Sequence, residues 1–289
     1  MLDKIHNFRP EIVNRVQDKD FGVIERPLGT MEKLLGNNAV RKTAILVVLG
    51  LIWEVYARAL NNDLLVPTLG ASLVALYGSL VSGELIKAIW YTLKLLLQGY
   101  VIGLFLAMVL TIIASATRIG ADFLETLTAM FNPLPSIALL PLAMVWFGLG
   151  DLSIVFVLIH AVLWSVALNT FIGFRAVSTT WRMVGQNYGL SNLRLVLRIL
   201  IPGAFPNILA GLKIGWAFSW RTVIAAELVF GSSSGQGGVG WYIYQNKNLL
   251  EIPHVFAGLL TVILFGFFVE NVVFRTIERR TVVRWGMQT

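Results

Sequence analysis

The amino-acid sequence predicts an all-α membrane protein with about six transmembrane helices. Three observations predict this fold class: 56% of the 289 residues are hydrophobic, only 13% are charged, and the mean hydropathy is +0.74. Soluble globular chains carry about 25% charged residues, and a water-soluble fold would expose much of this apolar surface. The apolar residues also lie in blocks, and a membrane helix requires blocks of about 20 residues.

Six apolar segments are candidates for these helices. In chain order they cover residues 43–60, 95–116, 133–147, 152–171, 204–230 and 255–274. The third is too short for a span unless it starts near Phe123, and Pro133, Pro135 and Pro141 obscure its boundaries. We therefore divide the chain into an N-terminal extension, residues 1–42, and a transmembrane domain, residues 43–289.

The basic residues indicate how the chain is oriented in the membrane. Seventeen Lys and Arg lie in the N-terminal extension, in the second-to-third and fourth-to-fifth connections and in the tail, against only Lys87 and Lys247 in the alternate connections. Because cytoplasmic segments carry an excess of Lys and Arg, we expect both termini in the cytoplasm. The net charge of +7 then reflects orientation in the bilayer and not nucleic-acid binding.

The extension before the first apolar segment has two interpretations. It mixes eight basic residues with six acidic ones and includes apolar residues, so part of it is an interfacial helix or the whole is a partly disordered tail. The first apolar segment starts too far from the N-terminus for an ordinary secretory signal peptide, and we expect it to remain as a membrane helix.

Several kinds of active site are excluded or disfavoured by composition. The chain has no cysteine, so it has no disulfide, thiolate metal site or cysteine nucleophile. Its three histidines are far apart, and no clustered acid, base or metal set is visible, so we expect no catalytic residues and no metal ligands. Residues 235–240 match G-x-G-x-x-G but lack the strand and helix context of a dinucleotide site, and we interpret them as a loop or re-entrant turn.

Two predicted spans carry small residues at the spacing used in helix packing. These are Gly99, Gly103 and Ala107 in one span and Gly211, Gly215 and Ser219 in the other. Small side chains allow helix backbones to approach closely in lipid. We expect both sets to pack against neighbouring helices.

The connection over residues 175–203 is the most informative segment. It holds four arginines and no acidic residue. The composition predicts a short helix over 179–188, a left-handed turn at Gly189, and a second helix capped by Ser191 and stopped by Pro202. This arrangement resembles a docking element at the membrane surface, although an ordinary structured loop has the same pattern.

The chain resembles the permease subunits of binding-protein-dependent ABC importers, in their nitrate/taurine/sulfonate/bicarbonate branch. Gly189 followed by Ile201-Pro202 is similar to the E-A-A-x-x-x-G-x9-I-x-L-P loop motif of that family, with residues 183–185 at the E-A-A positions. Further similar segments follow in order over residues 43–285: Asn132-Pro133-Leu134-Pro135, Pro141-Leu142, Trp146-Phe147-Gly148-Leu149-Gly150, Pro202-Gly203-Ala204-Phe205-Pro206, Gly211-Leu212-Lys213, Ala225-Ala226-Glu227-Leu228, Val255-Phe256-Ala257-Gly258-Leu259 and Glu278-Arg279-Arg280.

The resemblance implies a type I ABC importer permease fold in a bacterial-type cytoplasmic (inner) membrane. It also implies a second permease copy or a related permease, two ATP-binding subunits that carry ATP and Mg, and an extracytoplasmic solute-binding protein. This chain itself then needs no cofactor and is not an enzyme. The helix before Gly189 becomes a coupling helix that docks on the ATPase through Val184, Gly185, Gln186, Asn187, Gly189, Leu190 and Ser191.

Polar residues inside the spans are candidates for the translocation pathway. Ionisable side chains are costly in a bilayer and should face protein or water, and broken backbone at membrane depth occurs where it borders a cavity. Glu54 and Arg58 form an i, i+4 pair, whereas Arg221 either pairs with a carboxylate such as Glu270 or attracts an anion in transit. The candidate pathway residues are Asn132, Pro133, Pro135, Arg221 and Glu227.

Two other classes of protein remain open. An ion-gradient-driven secondary transporter also has about six spans and broken helices, but it needs no docking loop for an ATPase. A membrane-embedded enzyme needs a clustered set of reactive side chains. The substrate is not determined by this sequence, since in such importers the binding protein selects much of it.

Overall fold

The computed structural model describes residues 36–230 and 237–287. Contacts divide the chain after Leu51 into units 1–51 and 52–289, whereas the apolar segments placed a boundary after residue 42. In the first unit, the helix that starts at Asn38 has side chains that are nearly all exposed up to Leu49, which suits contact with lipid. The interfacial helix considered for the N-terminal extension falls mainly on residues 1–35, outside the described residues.

The described residues form helices and no strand. We name the helices in chain order: α1 (Asn38–Leu60), α2 (Leu69–Val81), α3 (Glu84–Ala114), α4 (Arg118–Phe131), α5 (Leu140–Phe147), α6 (Asp151–Ala176), α7 (Thr179–Asn187), α8 (Asn192–Leu195), α9 (Ile201–Phe230), α10 (Val239–Asn248), α11 (Ile252–Phe268) and α12 (Arg275–Glu278). A 3₁₀ turn (Ser136–Leu139) precedes α5, and π-helical segments (Val196–Leu200, Val269–Phe274 and Arg279–Val283) extend α8, α11 and α12.

Within the described residues, five helical segments are long and apolar enough to cross a membrane. They are α1, α3, α6, Leu193–Val229 and Ile252–Val283. A sixth arises when α4 and the segment Ser136–Phe147 are taken as one span, bent by 87° at the break between them. The predicted all-α fold with about six spans is confirmed.

Contacts along α6 show that the bent pair runs beside most of the length of α6. Near one end of α6, Arg175 forms an ion pair with Glu125 of α4 at 3.4 Å. Toward the other end, Phe156 packs on Trp146 of α5 with ring centroids 5.7 Å apart. The chain therefore travels the length of α6 between Glu125 and Trp146. This span is broken because Pro133 and Pro135 cannot continue a regular helix.

Helix α6 lies at the centre of the bundle and packs between α3 and α9. Gly99 and Gly103 of α3 contact Leu158 and Val162, where a Cβ at Gly103 would lie 2.8 Å from the Val162 Cβ. On the α9 side, a Cβ at Gly211 would lie 2.8 Å from the Asn169 Cβ, and one at Gly215 would lie 3.4 Å from Val166 Cγ2. Both predicted sets of small residues thus pack against the same helix.

The predicted end of the second loop helix at Pro202 is wrong. The backbone stays helical from α8 through Val196–Leu200 into α9, so the segment Leu193–Val229 is one long helix. A proline ring clashes with the carbonyl of the preceding turn, and local π-helical adjustments allow proline inside membrane helices. Ile201 donates its N–H to the Val196 carbonyl in this turn, so the turn lets the helix pass Pro202.

Charged residues at predicted span ends are positioned by specific partners. Glu54 pairs with Arg58 at 2.7 Å, as predicted, and also accepts the Leu69 N–H at the start of α2 at 2.8 Å. Lys213 pairs with Glu278 at 2.7 Å. Lys94 directly precedes the predicted segment 95–116, but it lies about three turns inside a helix, because α3 begins at Glu84.

Candidate coupling and translocation sites

The short helix α7 forms where the loop composition predicts it, with a defined cap at each end. Ser178 precedes it, and its hydroxyl accepts the Trp181 N–H at 3.4 Å. At the other end Gly189 has φ +75°, and the Leu190 N–H donates to the Gly185 carbonyl at 2.9 Å. This hydrogen bond closes a turn of six residues, and together with the left-handed glycine it defines a Schellman motif. The predicted glycine turn is therefore present.

Apolar side chains of α7 and the following residue are exposed. Trp181 is 62% exposed, Met183 61% and Tyr188 84%. Val184, Gln186, Asn187, Gly189 and Ser191 are also exposed, and they belong to the predicted docking set. Exposed apolar side chains next to exposed polar ones are suited to contact another protein.

Two members of the predicted docking set differ from the rest in burial. Gly185 is buried, and a Cβ there would lie 2.7 Å from Leu195 Cδ1 and 3.1 Å from Ile199 Cγ1. Leu190 is half-buried. Gly185 thus faces the helix that leads into α9, and its small size lets α7 lie against that helix.

The helix α7 is also attached to the end of α6. The guanidinium of Arg182 donates to the Phe174 carbonyl, which lies in the last turn of α6. Arginine near a helix C-terminus satisfies free carbonyls and interacts favourably with the helix dipole. Contacts with α6 on one side and the α8–α9 segment on the other therefore link α7 to both long helices.

A cavity of about 270 Å³ lies beside the broken span. Four of the five predicted pathway residues, Asn132, Pro133, Pro135 and Arg221, line it. The 3₁₀ turn and α6 contribute Ser136, His160 and Trp164. The helix break thus borders a cavity, as breaks within membrane spans do.

Arg221 is exposed on α9, and it forms no ion pair with any of the described residues. Glu270, the partner considered from the sequence, is also exposed on the π-helical part of its span. The structural pair that the sequence suggested is thus not formed. A guanidinium without a carboxylate inside a membrane span is suited to face water or a ligand.

Glu227 is not among the residues that line this cavity. It is 1% exposed, and both of its carboxylate oxygens accept the Thr92 hydroxyl, at 2.8 and 3.0 Å. One oxygen also accepts the Gly240 N–H at 2.8 Å, and the Thr92 oxygen accepts the Val239 N–H at 2.9 Å. Carboxylates at helix N-termini are favourable, so this buried group holds the start of α10 against α3 and α9.

A larger cavity of about 830 Å³ lies at the opposite end of α6 from α7. The N-terminal part of α3, Asp151 of α6 and the helix α10 line it, with Lys87, Lys94 and Gln245 among the polar residues. Tyr91 donates to the Asp151 carboxylate. Over residues 36–230 and 237–287, no three His, Asp or Glu side chains are grouped as metal ligands.

The family model described as "Binding-protein-dependent transport system inner membrane component" matches residues 99–283. This range includes the bent span, α6, α7 and α9. The chain belongs to this family. It is therefore a multi-pass inner-membrane permease component of a binding-protein-dependent transport system.

The permease is also similar to several curated proteins. It is 27% identical to a putative ABC transporter permease protein of Methanocaldococcus jannaschii over 84% of this chain and 91% of that protein. It is 30% identical to the taurine transport system permease protein of Escherichia coli over 54% of this chain and 55% of that one. It is 27% identical to the nitrate import permease protein of Synechocystis over 60% of this chain and 62% of that protein. The predicted resemblance to this branch of importer permeases is confirmed.

Sequence reasoning missed some polar residues of these sites in the permease. Thr92 has no sequence pattern that distinguishes it from other helix residues. Its hydrogen-bond partners Glu227 and Val239 are more than 130 positions away in the sequence. His160, one of the three histidines that are far apart in the sequence, lines the cavity, and its Nδ1 lies 3.2 Å from the Ser136 hydroxyl oxygen. An ionisable side chain alone in an apolar span was the available signal for His160.

Proposed function

We propose that this permease forms the membrane pathway of an ATP-driven importer for small anions, with ATP hydrolysis on separate subunits. The observation that carries the proposal is the exposed apolar surface of α7, held against the ends of α6 and of the long helix through α9. The sequence similarity to ABC transporter permeases supports the same assignment.

The geometry supports a direct mechanical route from α7 to the cavity. A movement of α7 acts on the helix that begins at α8, and this helix continues through Pro202 to Arg221. An ATPase that binds the two states of the permease differently shifts their equilibrium. ATP-driven closure of the ATPase pair would then change access to the cavity.

The remaining partners follow from the same assignment. The solute-binding protein delivers the substrate on the outer side, and a second copy of this chain or a related permease completes the pathway. ATP and Mg belong to the two ATPase subunits, and this chain carries no cofactor. Both termini and α7 lie in the cytoplasm, consistent with the excess of Lys and Arg on that side.

Two findings support a small anion as the substrate. The relatives include permeases named for taurine, aliphatic sulfonates and nitrate. The cavity beside the broken span holds Arg221, whose guanidinium has no carboxylate partner among the described residues. Arginine binds oxyanions through a planar set of donors.

The docking of the ATPase is tested at Tyr188, which is 84% exposed. Tyr188→Asp introduces a charge into the proposed interface, and we expect the ATPase recovered with the tagged permease to fall by about tenfold or more. Tyr188→Phe keeps the apolar ring and serves as the matched control, with unchanged recovery expected. Both variants are compared at equal permease abundance in the membrane.

Uptake measurements separate this function from a secondary transporter. In proteoliposomes with the ATPase and the binding protein, we expect uptake that requires ATP and is inhibited by vanadate. Uptake driven by an ion gradient without the ATPase, or full ATPase recovery with Tyr188→Asp, would contradict the proposal.

A further inference from the structure

The larger cavity, at the opposite end of α6 from α7, is lined by charges of both signs. Lys87 and Lys94 of α3 provide two cations, and Glu84 and Asp151 provide two carboxylates. We propose that this cavity binds the headgroup of a zwitterionic phospholipid with a primary ammonium group, such as phosphatidylethanolamine. The permease then has a specific membrane lipid as a ligand in addition to its substrate.

The depth of the cavity in the membrane favours a lipid as the ligand. The helix α3 has 31 residues and is therefore about 46 Å long, whereas the hydrocarbon core of a bilayer is about 30 Å thick. Residues 95–114, its C-terminal part, include no charged side chain and are long enough to cross this core. The preceding turns carry Glu84, Lys87 and Lys94, so these turns lie in the headgroup layer.

Lys87 and Lys94 provide the anion-binding part of the site. They are seven residues apart, about two helical turns, and therefore lie on the same face of α3. Both residues are exposed, and neither forms an ion pair with a residue that the structure describes. Basic pockets between membrane helices bind lipid headgroups, and a lipid phosphate is the anion present at this depth.

Glu84 and Asp151 select the class of headgroup. Glu84 is exposed at the start of α3, and it too forms no ion pair within the described residues. Asp151 begins α6, and Tyr91 donates to its carboxylate. An anionic headgroup such as phosphatidylglycerol would place its negative charge near these carboxylates without a cation to offset them. A primary ammonium group instead pairs with a carboxylate and donates hydrogen bonds to it.

Apolar side chains of the lining suit the glycerol backbone and the first methylene groups of a lipid. Ile86 is 55% exposed and Trp90 is 68% exposed, and both line the cavity. Trp241 of α10 also lines it, and its ring stacks on that of Tyr244 with centroids 5.5 Å apart. Tryptophan and tyrosine are enriched at the level of the headgroups. A phospholipid covers this apolar surface, whereas a small soluble ion leaves it in water.

The size of the cavity also favours a headgroup over a small ion. Its volume is about 830 Å³, against about 270 Å³ for the cavity beside the broken span. Sites of about 300–1,000 Å³ hold ligands of the size of a drug molecule. A phosphoethanolamine headgroup with its glycerol backbone is a ligand of this size.

The test measures which lipids the permease retains. The full-length permease is reconstituted in nanodiscs with equal amounts of phosphatidylethanolamine, phosphatidylcholine and phosphatidylglycerol, and native mass spectrometry counts the lipids that stay bound. We expect phosphatidylethanolamine to be enriched by about threefold or more over each of the others, the effect of one exposed ion pair. The quaternary ammonium group of phosphatidylcholine has no N–H to donate, and phosphatidylglycerol has no cation.

Glu84→Gln removes a carboxylate at an exposed position and should lower the enrichment of phosphatidylethanolamine over phosphatidylglycerol by about threefold. Glu251→Gln is its matched control, because Glu251 is an exposed carboxylate that follows α10 but does not line the cavity. Lys87→Gln should lower the retention of phosphatidylethanolamine by about threefold. Lys247→Gln is the control for the lysine, since Lys247 is exposed on α10 and is not in the lining.

The outcomes also distinguish a lipid from other ligands of the cavity. Equal retention of the three lipids, or equal effects of Glu84→Gln and Glu251→Gln, would overturn the proposal. Displacement of the lipid by soluble phosphoethanolamine would assign the site to free zwitterions, and we expect none because this solute does not cover Ile86 and Trp90. Unchanged lipid retention in Lys87→Gln, with weaker association of the solute-binding protein, would make the cavity a docking site for that protein and overturn the lipid site.

Discussion

Glu227 joins three helices through hydrogen bonds at a single carboxylate. It belongs to α9, and it accepts the Thr92 hydroxyl of α3 and the Gly240 N–H of α10. A buried carboxylate is stable only when it is fully hydrogen-bonded, so we expect these donors to matter more for stability than for transport. The pathway role that the sequence suggested for Glu227 stays a prediction beside this structural role.

Thr92→Val tests this role at the residue scale. The substitution keeps the shape of the side chain but leaves the Val239 N–H without its acceptor and removes a donor to Glu227. A buried unsatisfied group costs about 1–3 kcal/mol, so the apparent Tm of the purified permease should fall by about 2 °C or more.

Thr261→Val is the control for this variant. Thr261 is also buried in a helix, but its hydroxyl donates to the Ala257 carbonyl of the same helix. We expect its Tm to stay close to that of the wild type. Equal Tm values for the two valine variants would contradict the stabilising role of the Thr92–Glu227 contact.

At the scale of elements, α7 depends on the backbone conformation of a single residue. Gly189 has φ +75°, and no atom lies within 4 Å of the place where its Cβ would be. A side chain there is therefore disfavoured by the backbone conformation and not by contact with a neighbour. β-Branched residues are strongly disfavoured in this region, whereas asparagine is tolerated.

Gly189→Val is expected to uncouple ATP hydrolysis from transport. The left-handed conformation costs an ordinary L-residue about 1–2 kcal/mol, which favours loss of the Schellman turn and a changed direction of α7. We expect substrate-stimulated ATPase activity of the reconstituted importer to fall by about fivefold or more, with normal membrane insertion. Gly189→Asn is the control and should retain most of the stimulation; equal activity of the two variants would refute this role of the turn.

The elements differ in how far the sequence predicts them. The glycine turn after α7 and the small residues facing α6 were predictable because each rests on a local rule of backbone or packing geometry. The continuation of the helix through Pro202 was not, because the π-helical turn that allows it has no distinct sequence pattern. The 13-residue helix α2 was not predicted, because the search was for apolar segments long enough to span a bilayer and α2 is too short.

The residues of the candidate sites also differ in how far the sequence predicts them. Asn132, Pro133, Pro135 and Arg221 were predicted as separate pathway residues, and the fold brings them to one cavity. The hydrogen bond between Ser136 and His160 was not predictable, because it depends on how the 3₁₀ turn lies against α6. Pairings between distant positions require the helix packing, which the sequence pattern specifies only in part.

At the scale of the whole molecule, the distribution of basic residues predicts which end of the bundle faces the cytoplasm. The described structure places α7 at one end of α6 and α10, which carries the exposed Lys247, near the other. The positive-inside rule then assigns the α7 end to the cytoplasm. The same assignment is required for an ATPase to reach Tyr188.

Single cysteines test this orientation, since the chain has none of its own and offers no background labelling. In intact cells or right-side-out vesicles, a membrane-impermeant maleimide should label Lys247→Cys and not Tyr188→Cys. After the membrane is permeabilised, Tyr188→Cys should react as well, because Tyr188 is 84% exposed. Addition of the ATPase should then protect Tyr188→Cys but not Lys247→Cys, since only the α7 end belongs to the proposed interface. Labelling of Tyr188→Cys from the outside of sealed vesicles would reverse the orientation and remove α7 from any contact with a cytoplasmic ATPase.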